Sequence, residues 1–246
     1  MVASDSLERW LRHRIGEDRL ESRLAPRLVR KGLELNTAGP EFIDTFGRKE
    51  FEAIVGFLDI IGYSTRTMGM TPSAIADYLA TFINVAVEEL VDCHCLVDKV
   101  NGDEVMFVLA NREAEGDLPF NFHLGQTMDA LHRLYQRFAA THPFRLGLAV
   151  GNLTIQRLGS SGYGEWTTIG ETVNLAKRLL GLPRLKNATA FAGAFGCLHR
   201  DNDPAPVFEV PLAYVTLRGM RWRVIERIER ITDLKGVSPA TVAIFE

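Results

Sequence analysis

Two aspartates stand where their chemistry calls for explanation. Asp59 lies inside the apolar run Phe57-Leu-Asp-Ile-Ile-Gly-Tyr-Ser64, and Asp103 follows Asn101-Gly102 with Glu104 beside it. A carboxylate in apolar surroundings is costly unless a cation accompanies it. Brought together from adjacent strands, the two aspartates form a hard-oxygen pair suited to magnesium or manganese. Each alone also suits a structural role: Asp59 ends its strand and caps the next turn, and Asp103 serves a turn. Lys99 precedes Asp103 by four residues. Thr167, Asn174 and Arg178 follow within Trp166–Arg178. Asn174 and Arg178 are four apart, so a helix places both on one side. Taken singly, Lys99 suits a solvated strand end and the Asn174–Arg178 pair a polar helix face.

The elements that must position these residues follow from periodicity. Phe51–Ile61 is apolar and rich in strand formers, as a buried strand requires. Thr71-Pro72 supplies a threonine cap and a proline at the first helical position. Ile75, Leu79, Phe82, Ile83, Ala86 and Leu90 then form a buried helical stripe. Asn101-Gly102 predicts a hairpin turn between strands Leu96–Val100 and Asp103–Leu109. A charged loop over Asn111–Asn121 leads to a helix at about Phe122–Thr141. Leu146, Leu148 and Val150 alternate as a strand, with a turn at Gly151-Asn152 into a second strand through Ile155. Ser160–Glu165 is a glycine-rich loop, Val173–Leu180 a helix, and Val207–Leu217, Trp222–Ile228 and Thr241–Phe245 are strand-like. Residues 1–48 read as a helical extension, with Leu7, Leu11 and Ile15, then Leu20, Leu24 and Leu28, at helical spacing. Residues 49–246 form the main domain. The order β-α-β-β-α-β with added C-terminal strands predicts an α+β, ferredoxin-like sheet covered by helices.

Composition narrows the function classes. The 246 residues are 46% hydrophobic and 24% charged with a net charge of −3. That is an ordinary globular balance, and it argues against broad nucleic-acid binding, which needs a basic surface. The three cysteines, Cys93, Cys95 and Cys197, supply no disulfide framework and point to a reducing compartment. Neither a signal peptide nor a membrane-spanning run is evident, so a cytoplasmic protein without a membrane sensor on the same chain is expected. Cys93-His-Cys95 lacks the fourth ligand of a zinc site. His132 and His142 fall on or near a helix with no evident partner.

Several segments together resemble class III adenylyl and guanylyl cyclases. Phe57–Ser64 is similar to the first metal motif of that family. Val97-Asp-Lys-Val-Asn-Gly-Asp-Glu-Val-Met106 is similar to its hairpin motif, Thr167–Arg178 to its base-and-transition-state motif, and Arg145-Leu-Gly-Leu148 to the strand entering it. The match covers roughly Phe51–Leu180 in order and spacing. The turn Asn-Gly-Asp-Glu-Val also resembles diguanylate cyclases, but the downstream asparagine–arginine motif favours the mononucleotide branch. After Leu182 the family pattern is lost, and Ala192–Arg200 reads as irregular.

The resemblance implies roles. Asp59, Asp103 and the backbone carbonyl of Ile60 would hold two divalent metal ions, manganese or magnesium. Asn174 would hold the ribose, Arg178 would stabilise charge on the α-phosphate, and Lys99 and Thr167 would read the base. Lys235 resembles a late hairpin lysine that touches the triphosphate. In this family one site draws its metal residues and its base-reading residues from opposite subunits, so a homodimer is implied. The Lys99–Thr167 pairing is seen in bacterial adenylyl cyclases, but an ammonium and a hydroxyl do not exclude pyrimidines. The overall build resembles the bacterial pyrimidine cyclases of antiphage defence. The expectation is therefore UTP or CTP converted to cyclic UMP or cyclic CMP as a second messenger. Conversion of ATP to cyclic AMP is the first alternative, and a catalytically inactive nucleotide-binding module is the second.

Overall fold

A computed structural model describes residues 40–112, 120–159, 165–186, 192–198, 214–217, 220–231 and 240–245. Helix α1 (Pro40–Phe46) precedes strand β1 (Glu50–Ile60), whose residues from Ala53 to Leu58 are all buried. A short helix α2 (Tyr63–Arg66) follows, then the long helix α3 (Pro72–Asp92). Thr71 caps α3 as expected, its hydroxyl accepting from Ala74 N at 3.3 Å, with Pro72 in the first turn. Phe82, Ile83, Ala86 and Leu90 are buried along its inner stripe.

Strands β2 (Leu96–Asn101) and β3 (Glu104–Ala110) form the hairpin, and helix α4 (Phe120–Phe138) leads to the long strand β4 (Phe144–Leu158). Strand β5 (Glu165–Ile169), helix α5 (Glu171–Leu179), a short helix α6 (Pro183–Lys186) and strand β6 (Ala192–Leu198) come next. Strands β7 (Tyr214–Leu217), β8 (Met220–Ile231) and β9 (Ala240–Phe245) complete the described chain.

Among the described residues the strands run β2-β3-β1-β4-β6-β9-β8-β7, with β5 paired to β4. The sheet has two buried faces. Alternate residues of β1 and β4, such as Ile54, Leu58, Leu146 and Leu148, join α3 and α4 in one core; Val55, Phe57 and Ala149 join α5 in the other. Helix α5 lies close because β4 carries glycine at 147, where an added Cβ would meet the Ala176 carbonyl oxygen at 2.4 Å. The mixed α+β, sheet-centred fold is as the sequence predicts.

Three local expectations are corrected. β4 runs unbroken through Gly151-Asn152, because β1 extends to Glu50 and pairs with it continuously from Ile60↔Phe144 to Glu50↔Thr154. Ala192–Leu198 is not irregular: it is β6, held between β4 in parallel and β9 in antiparallel register. The hairpin loop is Gly102-Asp103, closed by the pair Asn101↔Glu104. Gly102 takes φ 64°, and glycine at the first central position suits a type II′ turn rather than the asparagine-first type. Of the expected extension, residues 1–39 lie outside the described chain. Residues 40–48 dock on the domain: Phe42, Phe46 and Phe51 pack their rings together, and Arg48 N–H donates to Ile155 O at 2.8 Å. No helix among the described residues is long and apolar enough to cross a membrane.

Candidate active site

Strand β1 carries Asp59 to its C-terminal end, next to the tip of the β2–β3 hairpin. Ile60 N–H donates to Asp103 O at 3.4 Å, which fixes that tip against β1. The two aspartates thus come together as the sequence implies. Their carboxylates feel each other: burial raises the Asp103 pKa first, and the Asp59 charge adds to the rise. The Asp103 backbone amide, Arg145 and Lys177 oppose that rise.

The cation that Asp59 requires is Arg145 of β4. Its Nε donates to Asp59 Oδ2 at 2.7 Å, and a terminal nitrogen lies 2.6 Å from the same oxygen. Register explains the meeting, because Asp59 is paired directly with Arg145 across β1–β4 and with Glu104 across β1–β3. Glu104 is itself buried and forms an ion pair with Lys177 of α5. Sequence reasoning assigned no role to Glu104, Arg145 or Lys177. The one signal available was the need of a carboxylate in an apolar run, Asp59, for a positive partner.

A bulge places Lys99. Val97 pairs with Phe107 and Lys99 with Met106, leaving Asp98 as the extra residue. Without it Lys99 would fall on the α3–α4 face; with it Lys99 shares the α5 face with Met106. Thr167 pairs with Gln156 on the other face, and β3, β1 and β4 separate β5 from β2. Strand order therefore does not set Lys99 and Thr167 side by side within one protomer. Asn174 and Arg178 are both exposed on α5, whose buried side is Thr172, Leu175, Ala176 and Leu179. The Thr172 hydroxyl anchors the start of α5 by donating to Asn152 O at 3.0 Å. Lys235 lies outside the described residues.

The donors fit a hard divalent cation. Two mutually repelling carboxylates stand at one strand end beside the Ile60 backbone. Among the described residues no three of Asp, Glu, His or Cys converge. Magnesium is commonly held in this way, by one or two carboxylates completed by water and substrate phosphates. Cys93 and Cys95 are buried, with Cys95 Sγ 3.5 Å from Thr127 Oγ1; burial pushes the Cys95 thiol up to about 12, so it stays protonated. His132 bonds Gln136 Nε2 at 2.9 Å, and His142 packs beside Tyr78.

No protein-family model matches the chain. An uncharacterised protein of Mycobacterium tuberculosis is 26% identical over 166 residues, which are 66% of this chain and 30% of that protein. Adenylate cyclase 1 of Rhizobium meliloti is 26% identical over 162 residues, covering 63% of this chain and 24% of the relative. The chain thus spans about a third or less of the length of these curated relatives. Among solved structures, the adenylyl cyclase CyaB from P. aeruginosa matches at a TM-score of 0.55 and 20% identity, over 80% of this chain and 95% of that one. The guanylate cyclase domain of RhGC from Catenaria anguillulae, in complex with GTP, matches at 0.55 and 16%, over 80% and 98%. The fold is that of these adenylyl and guanylyl cyclase domains.

Proposed function

We propose that this chain is a nucleotide cyclase that converts a nucleoside triphosphate into a 3′,5′-cyclic monophosphate and pyrophosphate. The observation that carries the reading is the placement of Asp59 and Asp103 at adjacent strand ends, tied by the Ile60 N–H donating to Asp103 O, within a fold shared with adenylyl and guanylyl cyclases. In the reaction the ribose 3′-oxygen bonds to the α-phosphorus. The bond from that phosphorus to the oxygen leading to the β-phosphate breaks, and the hydroxyl proton is released. Magnesium or manganese held by Asp59, Asp103 and the Ile60 carbonyl would lower the pKa of the 3′-hydroxyl and neutralise the triphosphate.

The remaining work falls to side chains. Arg178 is permanently charged and exposed, and so is suited to meet charge growing on the α-phosphate. Asn174, one turn earlier, orients the ribose. Both face outward from α5, whereas Lys177 faces the protomer's own Glu104. That division supports a homodimer in which each site takes Asp59 and Asp103 from one chain and Asn174 and Arg178 from the other. Lys99 and Thr167 read the base edge, and Lys235 meets the triphosphate.

For the base, the pyrimidine reading is the finer proposal: UTP or CTP turned over faster than ATP, giving cyclic UMP or cyclic CMP as a messenger in antiviral defence. Its support is the overall build of the chain, which resembles the bacterial pyrimidine cyclases; the Lys99–Thr167 pair suits adenine and does not exclude a pyrimidine edge. The experiment is turnover of each of the four ribonucleoside triphosphates with manganese, with products separated by chromatography. A cyclic monophosphate and pyrophosphate in equal amounts support the cyclase. A kcat/KM for ATP well above those for UTP and CTP overturns the pyrimidine reading and leaves an adenylate cyclase. Binding without any turnover leaves an inactive nucleotide-binding module.

A further inference from the structure

We infer that Lys177 is a positioning residue that ties the helix bearing Asn174 and Arg178 to the hairpin bearing Asp103; this rests on the cyclase reading. Asp59 is the register partner of Arg145 on one side and of Glu104 on the other. Directly opposed residues project from one face, so these side chains form a row on the face that α5 covers. Two neighbouring members, Asp59 and Glu104, are both acids, an arrangement that is unfavourable by itself. A cation answers each: Arg145 pairs with Asp59, and Lys177 pairs with Glu104. The Lys177 ammonium also lies 5.4 Å from the centroid of the Phe57 ring, two residues before Asp59 on the same face.

The two ends of the Lys177–Glu104 pair differ. The Lys177 side chain is 52% exposed and that of Glu104 only 10%. At the lysine end the pair is therefore worth little as a surface contact. At the glutamate end it matters more, because without it a buried carboxylate would stand unneutralised beside Asp59 and Asp103. The pair holds Glu104 against α5 and sets it apart from Asp59 and Asp103, the two carboxylates proposed to meet the metal. It also links motion. Lys177 directly precedes Arg178 in α5, and Glu104 directly follows Asp103 in the hairpin. A tilt of α5 that shifts Arg178 must pull on Glu104. In a dimer with shared sites, that clamp joins the Asp103 of one site to the Arg178 of the other.

The test compares the full chain with Lys177→Met, which keeps the stem over Phe57, Glu104→Gln, which keeps the shape, and the double variant. Two quantities are measured: kcat and KM for the preferred triphosphate, and hydrogen exchange of the α5 amides. Each single change should lower kcat about tenfold with KM within about twofold, the signature of misplaced groups rather than lost binding. The double should be no worse than the worse single, because both remove one contact. Exchange in α5 should accelerate alike in all three variants. Unchanged kcat in the singles, or losses that multiply to about a hundredfold in the double, would overturn the clamp. If the parent protein turns over no triphosphate, exchange decides alone. Acceleration alike in the three variants keeps the clamp while the cyclase reading falls, and unaltered α5 exchange removes the clamp.

Discussion

The Asp59 carboxylate takes two contacts from one guanidinium while lying beside the Asp103 carboxylate. Its charge is therefore balanced before any substrate arrives, and removing the balance should be felt in stability. Arg145→Met should destabilise the protein by about 1–3 kcal/mol, the cost of leaving a partly buried acceptor without its donor. Urea denaturation measures it, and adding Asp59→Asn should recover part of the loss. In activity, Asp59→Asn or Asp103→Asn should each reduce cyclisation by at least about a hundredfold while the urea midpoint of unfolding shows an intact fold. Near-normal rates with manganese present would remove the carboxylate pair from the reaction. The need for a cation at Asp59 was legible in the sequence, because a charge in an apolar run is costly. Its identity was not, since Arg145 lies 86 residues away and only β1–β4 register brings it across. His142 carries a second residue-scale prediction. It is buried, stacks on Tyr78 at 4.1 Å between centroids, and has Nε2 3.0 Å from the Tyr78 carbonyl. Burial lowers its pKa, the Tyr78 carbonyl opposes this, and the Arg66 charge lowers it further. With the folded value below the unfolded one of about 6.5, the neutral ring's contribution is present above pH ~6.5 and is lost as pH falls through the folded value. His142→Phe should flatten the fall of the urea midpoint on acidification below that pH. An unchanged slope would show that other groups cause it.

At the scale of elements, α5 is held by a glycine beneath it, a threonine at its start and a lysine at its flank. Gly147 is the most exacting of these, because the Ala176 carbonyl occupies the space a side chain would need. Gly147→Ala should cost about 1–3 kcal/mol through forced backbone displacement. It should also reduce turnover, since the shift moves the helix that carries Arg178; a urea midpoint and a kcat equal to the parent's would contradict that placement. Helices α3 and α5 and strand β1 were legible because cap, stripe and apolar run agree with one another. The hairpin was legible in kind but not in detail. Its loop sits one residue later than asparagine–glycine suggests, because Gly102 takes the positive φ and Asn101 stays in the ladder. The bulge at Asp98, which turns Lys99 to the α5 face, had no local signature. β4 and β6 were misread for the same reason. Gly151-Asn152 has turn composition and Ala192–Leu198 is rich in small residues, yet strand partners on either side hold both extended.

Over the whole molecule, one sheet separates two cores, and the site lies at the C-terminal end of β1 where the α5 side opens on the hairpin tip. A single chain presents Asp59 and Asp103 there, with Arg145 paired to Asp59 and Lys177 paired to the neighbouring Glu104, while Asn174 and Arg178 face outward. The proposal is that two such half-sites meet, each completing the other. Subunit mixing tests this most directly. Asp59→Ala and Arg178→Ala are prepared separately, each inactive, then mixed under conditions in which differently labelled chains are shown to exchange. In the hybrid dimer one site carries both lesions and the other carries neither. Cyclic nucleotide formation should return to about a quarter of the parent rate when exchange is random, since half of the dimers are hybrids and each has one intact site. Exchange without any return of activity would contradict a site shared between chains.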